Sequence, residues 1–243
     1  MTDLAGQTWW LVGASEGLGA ALARKMSAAG ATLVLSARST DKLTELADSL
    51  PGPARGVACD VTDSASVRQA YAEAGEIDGI VILAGAYWPV NAKDWQAEHV
   101  ETMIDVNLTG MARVLGAVVP DFVARDRGRI VLTGSLSAYV GLPGAIGYST
   151  SKAGVQGLAE SMAVDLHGTG VTVQLANPGF IKTRLTDKNA FKMYQIMEPD
   201  EAAGHMMRLI GSNRFSLAFP NPFALVFRGA RFLPQKLLNR LFA

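Results

Sequence analysis

Short apolar runs alternate with longer segments of helical spacing along most of the chain. The apolar runs are rich in Val, Leu and Ile and end at turn residues, which is typical of buried strands. The longer segments are rich in alanine and leucine, which favour helices. We predict strands at 8–14, 31–38, 54–61, 77–86, 128–135, 171–179 and 214–219, and helices at 17–30, 39–50, 63–75, 101–125, 145–168 and 198–211.

The predicted strands are apolar on both faces, as expected when helices cover both sides of a parallel sheet. Repeated strand–helix alternation predicts an α/β fold, a doubly wound Rossmann-type parallel sheet of about seven strands with helices on both faces. We find no internal repeat and no linker rich in Pro, Gly or Ser. We therefore expect residues 1–243 to form a single domain.

Composition narrows the class of protein. The chain has 243 residues, 49% of them hydrophobic, which is enough to form a sizeable core. The 22 basic and 22 acidic residues balance, so no net positive field favours nucleic acid. The single cysteine, Cys59, rules out an intrachain disulfide and lies in an apolar run typical of a buried position. With no signal-peptide pattern at the N-terminus and no apolar run long enough to cross a bilayer, we expect a cytoplasmic protein.

A glycine-rich loop joins the first predicted strand to the first predicted helix. In "VGASEGLGAAL" the glycines are Gly13, Gly17 and Gly19, with Ser15 and Leu18 between them. Glycines permit a tight turn and a close backbone approach to a pyrophosphate, and the helix N-terminus offers free N–H groups. The alternative is a plain glycine-rich turn, but the strand–turn–helix setting favours nucleotide binding.

The residue type at the end of the second predicted strand indicates which cofactor the protein binds. Where NAD-binding proteins place a carboxylate for the ribose, this strand ends with Arg38, whose guanidinium suits a 2′-phosphate. We therefore predict NADP(H) rather than NAD(H), although Glu16 in the glycine loop would oppose a nearby phosphate, and Arg38 could instead be a solvated cation. After the third strand, Asp60 and Val61 could flank the adenine, or Asp60 could serve only as a turn residue.

A tyrosine and a lysine lie four residues apart in "GYSTSKAG". Tyr148 and Lys152 would share one face of a helix. By itself the spacing does not separate a catalytic pair from two residues on a solvated helix.

Six motifs occur in a consistent order, namely "GASEGLG", "LAGA", "VNLTG", "TGSLSA", "YSTSK" and "NPGFIKT". With them the chain resembles the short-chain dehydrogenase/reductase family, in its compact single-domain branch, from about residue 8 to residue 219. The resemblance implies an enzyme that interconverts a carbonyl and an alcohol with a nicotinamide cofactor. It also implies that Tyr148 is the general acid/base, with Lys152, Ser135 and Asn107 as its catalytic partners.

The resemblance also implies further cofactor-binding residues. Ala84 and Gly85 match the end of the family's Asn-Asn-Ala-Gly stretch, but here Ile82 and Leu83 replace both asparagines. In "NPGFIKT", the resemblance implies that Pro178, Gly179, Ile181 and Thr183 hold the nicotinamide amide.

The expected chemistry follows from ordinary pKa values. A free tyrosine has a pKa near 10, too high for efficient acid–base work near neutral pH, and the Lys152 ammonium should lower the pKa of Tyr148. Ser135 could stabilise charge on the substrate oxygen, and Asn107 could hold a water beside Lys152. Ser135 could alternatively be a strand-end cap, with Ser137 competing for its role, and Asn107 a satisfied core amide.

An apolar segment at 180–198, here named the lid segment, predicts a lipophilic carbonyl or alcohol substrate. The alternative is that its side chains pack on the body of the fold or on a second subunit. The predicted apolar residues are Phe180, Leu185, Phe191, Met193, Tyr194, Ile196 and Met197, with Tyr139, Leu142 and Ile146 on the opposite wall.

The tail at 220–243 is basic and amphipathic. No acidic residue follows Glu201. Such helices could lie on the anionic inner face of a membrane, or could form a lid or an oligomer contact. Apolar residues at helical spacing are Phe223, Val226, Phe227 and Ala230, then Leu237, Leu238, Leu241 and Phe242, with Arg228, Arg231, Lys236 and Arg240 beside them.

Two other functions fit the sequence less well. A non-catalytic nucleotide sensor or scaffold would be expected to lack part of the catalytic set. A nucleotide-sugar epimerase or dehydratase would need a larger C-terminal domain. Three scattered histidines, His99, His167 and His205, predict no metal site, and we expect a homodimer or homotetramer.

Overall fold

The computed structural model describes residues 3–189 and 193–242. Phe191, predicted to belong to the lid segment, lies outside the described residues, as does the side chain of Phe242. The strands are β1 (Thr8–Val12), β2 (Thr32–Ala37), β3 (Ala54–Ala58), β4 (Gly79–Ile82), β5 (Gly128–Thr133), β6 (Val171–Pro178) and β7 (Ser216–Phe219). The helices are α1 (Gly17–Ala28), α2 (Thr40–Asp48), α3 (Ser64–Ala74), α4 (Ala97–Ile104), α5 (Gly110–Ala124), α6 (Ile146–Asp165), α7 (Pro199–Ile210), α8 (Phe223–Ala230) and α9 (Gln235–Phe242).

The seven strands form one parallel sheet in the order β3-β2-β1-β4-β5-β6-β7. This confirms the predicted doubly wound Rossmann-type fold. Strand order reverses between β1 and β4, and ligands of such sheets bind in the crevice at the carboxyl ends beside that reversal.

Helices cover both faces of the sheet. Leu11 and Leu33 point to one face, where they pack in a cluster with α1, α2 and α7. Trp10 and Val12 point to the other face and join a cluster with α3, α5 and α6. Alternate residues of β1 thus enter opposite cores, because successive strand side chains point to opposite faces.

One expectation about the strands is wrong at the edge of the sheet. In β3, Arg55, Gly56 and Ala58 are exposed, whereas only Val57 is buried. An edge strand has a neighbour on one side only, so helices cover it incompletely.

The predicted helix at 101–125 begins earlier and is not uniform. Ala97–Ala124 is long and apolar enough to cross a membrane by length and composition. Its buried residues, such as Val114, Val118 and Phe122, nevertheless pack against the sheet as a core helix does. Between α4 and α5 the backbone forms a π-helical turn, Asp105–Thr109. Such turns occur often at functional sites.

Candidate active site

The glycine loop lies where β1, α1 and the segment after β4 meet. Gly13 has a φ of 95°, and a Cβ there would lie 2.4 Å from the Ala84 amide nitrogen. A Cβ on Gly19 would lie 2.1 Å from the Gly13 carbonyl oxygen. Gly17 also has a positive φ, and Ser15 is half-buried in the same loop. Only glycine therefore permits this approach of backbone to backbone, which places Ala84 beside the loop.

The N-terminus of α1 is suited to an anion. The first N–H groups of any helix, here including that of Leu18, have no intrahelical acceptor. Glu16 at the N-cap makes no side-chain hydrogen bond to them. Its carboxylate instead pairs with Lys42 (Nζ to Oε2, 3.4 Å) and with Arg184 from the lid segment. The residues present thus fit the pyrophosphate of a dinucleotide, with the charge of Glu16 countered by two cations.

Arg38 and Asp60 lie at neighbouring strand ends, where the adenosine half of a dinucleotide would lie. Arg38 is exposed just after β2. Although desolvation opposes the change, hydrogen bonds from Thr62 and the charges of Arg38 and Arg113 lower the pKa of Asp60. Val61 is buried, and its carbonyl accepts a hydrogen bond from Arg113 (3.2 Å). Asp60 is thus both a turn residue that bonds Thr62 and a neighbour of the Arg38 charge.

Tyr148 and Lys152 are together in the first turns of α6. The Lys152 ammonium lies 5.7 Å from the centroid of the Tyr148 ring and donates a hydrogen bond to the Thr133 carbonyl (2.8 Å). The side chain of Lys152 is only 4% exposed, and this burial lowers its pKa to about 8. The predicted pairing on one helical face is therefore present, with the lysine behind the tyrosine ring.

The prediction that the pKa of Tyr148 is lowered is wrong for the chain alone. Burial raises the pKa of Tyr148 to about 12, a larger effect than the hydrogen bond with Ser135, which lowers it. The nearby Tyr87 raises the pKa further. Burial disfavours the charged phenolate more than its polar neighbours stabilise it. Tyr148 is therefore a neutral proton donor at pH 7.

Three hydrogen bonds hold Ser135 just beyond the carboxyl end of β5. Its hydroxyl oxygen accepts hydrogen bonds from the Ser137 N–H (3.2 Å) and the Ser137 hydroxyl (3.0 Å). Its backbone N–H donates to Asn177 Oδ1 (3.1 Å), and Asn177 Nδ2 donates to the Tyr139 hydroxyl (2.9 Å). With its oxygen accepting, the Ser135 hydroxyl can direct its own proton towards Tyr148 or a substrate oxygen. Ser137 lines the same cavity as Ser135.

Asn107 lies in the π-helical turn and connects two parts of the site. Its Oδ1 accepts from the Ala86 N–H (2.7 Å), and its Nδ2 donates to the Ala86 carbonyl and to Ser151 Oγ (both 3.0 Å). A Cβ on Gly85 would lie 3.5 Å from the same Oδ1. Asn107 thus fixes the loop after β4 against α6, as a satisfied core amide. Its water-holding role stays a prediction.

The residues expected at the nicotinamide lie at the end of β6. Pro178 ends that strand, Gly179 lines the cavity described next, and Ile181 is buried. A Cβ on Gly17 would lie 2.9 Å from the Thr183 methyl group. The start of the lid segment therefore contacts the glycine loop.

A cavity of about 100 Å³ lies beside Tyr148. Its polar lining residues are Ser135, Ser137 and Tyr148, together with Thr186 and Asn189. Most of its other walls are apolar, which suits a lipophilic group next to a polar reacting centre. The apolar wall residues are Tyr87, Leu136, Leu142, Pro143, Ala145, Phe180, Leu185, Phe223 and Phe227.

The lid segment contributes less to this cavity than predicted. Of its predicted apolar residues, Phe180 and Leu185 line the cavity. Met197 is buried in the core beside α1 and α7, whereas Tyr194 and Ile196 are exposed. Met193 is half-buried and is not one of the wall residues named above. Part of the segment therefore packs on the body of the fold, the alternative named above.

The opposite wall also differs from expectation. Leu142 lines the cavity, but Ile146, at the start of α6, lies in a neighbouring groove of about 390 Å³ that α9 also lines. Tyr139 packs beside α8 and accepts the hydrogen bond from Asn177. Only one of the three predicted residues is therefore a wall residue.

Two aromatic elements of the site were missed in the sequence. The Tyr87 ring lies edge-on to the Tyr148 ring at 5.3 Å, and its hydroxyl donates to Asn189 Oδ1 (2.8 Å). Phe223 and Phe227 bring α8 of the tail to the cavity. An aromatic residue just after "LAGA" was a usable signal for Tyr87, whereas the tail gave no signal of where it docks.

The histidines described lie away from this site. His99 stacks on Trp88, and His205 stacks on Phe219. Within residues 3–189 and 193–242, no group of three or more His, Cys, Asp or Glu side chains could hold a metal ion. Cys59 is buried as predicted, which raises the pKa of its thiol to about 11.

Together, the parallel sheet, the glycine loop and the serine–tyrosine–lysine set define a class, the dinucleotide-dependent α/β oxidoreductases. The family model described as short chain dehydrogenase matches residues 7–193. The chain belongs to the short-chain dehydrogenase/reductase family, whose members bind NAD(H) or NADP(H). It is an oxidoreductase acting on CH–OH groups, which sets aside the sensor or scaffold alternative.

Individual relatives agree with this membership. An uncharacterized oxidoreductase of Myxococcus xanthus is 37% identical, covering 98% of this chain and 97% of its own. A 3-oxoacyl-[acyl-carrier-protein] reductase of Rickettsia bellii is 31% identical, covering 77% and 78%. A solved structure of a short chain dehydrogenase/reductase family protein superposes with a TM-score of 0.82 at 27% identity, covering 89% of this chain and 96% of that one.

Proposed function

We propose that the chain is an NADP(H)-dependent oxidoreductase that interconverts a carbonyl and an alcohol on a hydrophobic substrate, with Tyr148 as general acid/base. One observation carries the proposal. The Tyr148 phenol and the Ser135 hydroxyl face a mostly apolar cavity, with the Lys152 ammonium buried behind the phenol.

The side chains divide the chemistry of carbonyl reduction. A nicotinamide cofactor, when bound, would supply the hydride for the carbonyl carbon. Tyr148, neutral at pH 7, donates its proton to the carbonyl oxygen, and Ser135 donates a hydrogen bond to the same oxygen as charge develops there. Lys152 favours the phenolate that remains, because a cation nearby stabilises an anion. Alcohol oxidation uses the same groups in reverse, with Tyr148 as the base.

The charges at the adenosine end support NADP(H). Arg38 offers a guanidinium at the end of β2, where a 2′-phosphate would lie. The carboxylate of Glu16, which would repel that phosphate, is paired with Lys42 and Arg184. The paired Glu16 therefore opposes a 2′-phosphate less than a free carboxylate would.

The apolar walls support a hydrophobic substrate, since Phe180, Leu185, Phe223 and Phe227 offer nothing to bind sugar hydroxyls. The name of the Rickettsia relative, a 3-oxoacyl reductase, supports reduction of a carbonyl. A cytoplasmic location and a homodimeric or homotetrameric state stay predictions.

The test of this proposal is removal of the Tyr148 hydroxyl. In Tyr148→Phe, turnover with NADPH and a panel of aldehydes and ketones should fall by about 100-fold or more, since general acid catalysis is lost. NADPH affinity, measured by the fluorescence of the bound nucleotide, should stay near that of the unmodified chain. Tyr71→Phe, at a tyrosine of α3 that is not a wall of the cavity, is the matched control and should keep full turnover. Undiminished turnover in purified Tyr148→Phe would disprove the assignment.

A further inference from the structure

Large hydrophobic side chains are exposed together on the tail. Among the described residues, ten such side chains are strongly exposed, and five of them lie between 225 and 241. Its exposure separates Val226 from Phe227 and Ala230, the residues with which helical spacing grouped it. The five are Leu225 (60% exposed), Val226 (57%), Phe232 (84%), Leu237 (43%) and Leu241 (63%).

Helical periodicity separates an inner from an outer face in α8. Ala224, Phe227 and Ala230 are buried at spacings of three, so they point inwards together. Leu225 is exposed on the opposite side of the helix, and Val226 is exposed at the flank between the two faces. In α9, Leu238 lies against the groove beside Ile146, whereas Leu237 and Leu241 are exposed.

The charge of this outer surface has one sign. Arg228 and Arg231 lie near the exposed residues of α8, and Lys236 and Arg240 share the exposed side of α9 with Leu237 and Leu241. The 42 residues from 202 to 243 contain no Asp or Glu. Exposed apolar side chains among basic ones complement an anionic lipid surface, where the apolar groups enter the interface and the cations meet the headgroups.

The same helix separates this surface from the catalytic cavity. Phe223 and Phe227 on the inner side of α8 are cavity walls, and Leu225 and Val226 are on its outer side. A membrane in contact with the outer face would therefore lie one helix diameter, about 10 Å, from the cavity.

We propose that α8 and α9 form a docking surface for an anionic membrane, and that the enzyme draws a membrane-partitioned lipophilic substrate from it. The docking stands on the tail alone. The choice of substrate rests on the proposed function, because it requires that the cavity hold the reacting carbonyl.

The docking is tested by co-sedimentation of the full chain with vesicles. We expect binding to vesicles of equal phosphatidylglycerol and phosphatidylcholine, weaker binding to pure phosphatidylcholine, and release at high salt. The double variant Leu225→Asp/Leu241→Asp should lower the affinity roughly tenfold or more, because two carboxylates replace two inserted side chains. Its matched control is Val123→Asp/Val164→Asp, at exposed positions on α5 and α6, which should bind as the unmodified chain does.

Charge reversal isolates the electrostatic part. Arg231→Glu/Arg240→Glu should abolish the preference for anionic vesicles, whereas Arg24→Glu/Arg68→Glu, at exposed positions of α1 and α3, should retain it. Equal binding to both vesicle types by the unmodified chain would overturn the proposal, as would equal losses in the variants and their controls. A dimer that Leu225→Asp/Leu241→Asp dissociates, seen by light scattering with vesicle binding unchanged, would assign the surface to a second copy of the chain instead.

A second measurement tests whether the membrane supplies the substrate, independently of whether the protein binds the membrane. Tail variants should lose turnover of a long-chain aldehyde held in anionic vesicles, but keep turnover of a short water-soluble aldehyde. Equal loss on both would contradict supply from the membrane. If neither aldehyde is turned over while vesicles still bind, the proposed function fails and the docking stands.

Discussion

At the scale of single residues, the polar groups of the site differ in how far away their partners lie along the chain. Tyr148 and Lys152 are neighbours on one helix, so the sequence shows them together. The Ser135 N–H and Asn177 are 42 residues apart, and Tyr87 and Asn189 are 102 apart. Those pairs exist only once the sheet is assembled. Local spacing therefore predicts the acid/base pair but not the residues that position it.

Burial explains the largest error at this scale. From sequence, the Lys152 charge was expected to lower the pKa of Tyr148, but the site buries both groups and shifts each towards its neutral form. The motif identifies the partners, whereas the sign of the shift depends on how much water they lose.

Arg38 permits a prediction about cofactor choice. Arg38→Ala should raise the KM for NADPH about tenfold or more, because a charge-assisted hydrogen bond to a phosphate contributes about 1.5–3 kcal/mol. The KM for NADH should change little, since NADH has no 2′-phosphate. Initial-rate measurements with both cofactors provide the check.

The control for Arg38 is Arg24→Ala, at an exposed arginine of α1, which should leave both KM values unchanged. An equal rise for NADPH and NADH in Arg38→Ala would contradict the role, because it would show a general weakening of the adenosine site.

At the scale of elements, apolar periodicity predicted all seven strands and five of the core helices with errors of a few residues at their ends. The sixth predicted helix, 101–125, merged α4 and α5 into one. It did not predict the π-helical turn at Asp105–Thr109, since the turn depends on Asn107 bonding a loop 21 residues away. Nor did it show which face of α8 is buried. The apolar residues of α8 lie on two faces of the helix, and only the packing of one face against Leu136 and Tyr139 shows which face is buried.

The two faces of α8 give a prediction about substrate size. Phe223 is a half-buried cavity wall, so Phe223→Ala should enlarge the cavity with less loss of stability than truncation of a fully buried phenylalanine. We expect the preferred aldehyde to become longer. The kcat/KM for long relative to short aldehydes should rise about tenfold, since one extra methylene contributes about 1–3 kcal/mol of discrimination.

Leu225→Ala, on the outer face of the same helix, is the control. In assays of water-soluble aldehydes without detergent, it should leave the preference for chain length unchanged. If both variants alter the preference equally, α8 acts through its general placement, and Phe223 is not a specificity-determining wall.

At the scale of the whole molecule, the site lies at the carboxyl end of the parallel sheet. The glycine loop, Arg38, Asn107, Ser135 and Pro178 come together there, at or beside the ends of β1, β2, β4, β5 and β6. Because strand order brings these carboxyl ends together, the residues that the family motifs name lie at one end of the sheet, and their cofactor-binding and catalytic roles stay predictions. The substrate walls come from the lid segment and the tail, which the sheet does not position. Their contacts had to be read from the structure.

The fold also bears a cost for burying the Lys152 ammonium, and this can be measured. The folded chain releases the lysine proton near pH 8, whereas the unfolded chain keeps it up to the ordinary pKa of 10.5. Between those values the unfolded state binds more protons, so the free energy of unfolding rises with pH. Below pH 8 the native state carries the full penalty, about 3 kcal/mol. Removing the charge should therefore stabilise the protein at pH 7.

Lys152→Met tests this directly on the cofactor-free chain. Losing the hydrogen bond to Thr133 offsets about 1 kcal/mol of the gain, so the free energy of unfolding at pH 7 should rise by about 2 kcal/mol while turnover is lost. Urea unfolding at several pH values should show the advantage shrinking from pH 8 to 10.5, where the unmodified lysine is neutral in the folded state. Lys93→Met, at an exposed lysine, should show no such trend. A constant difference across this range would mean that packing, and not the buried charge, sets the stability of the variant.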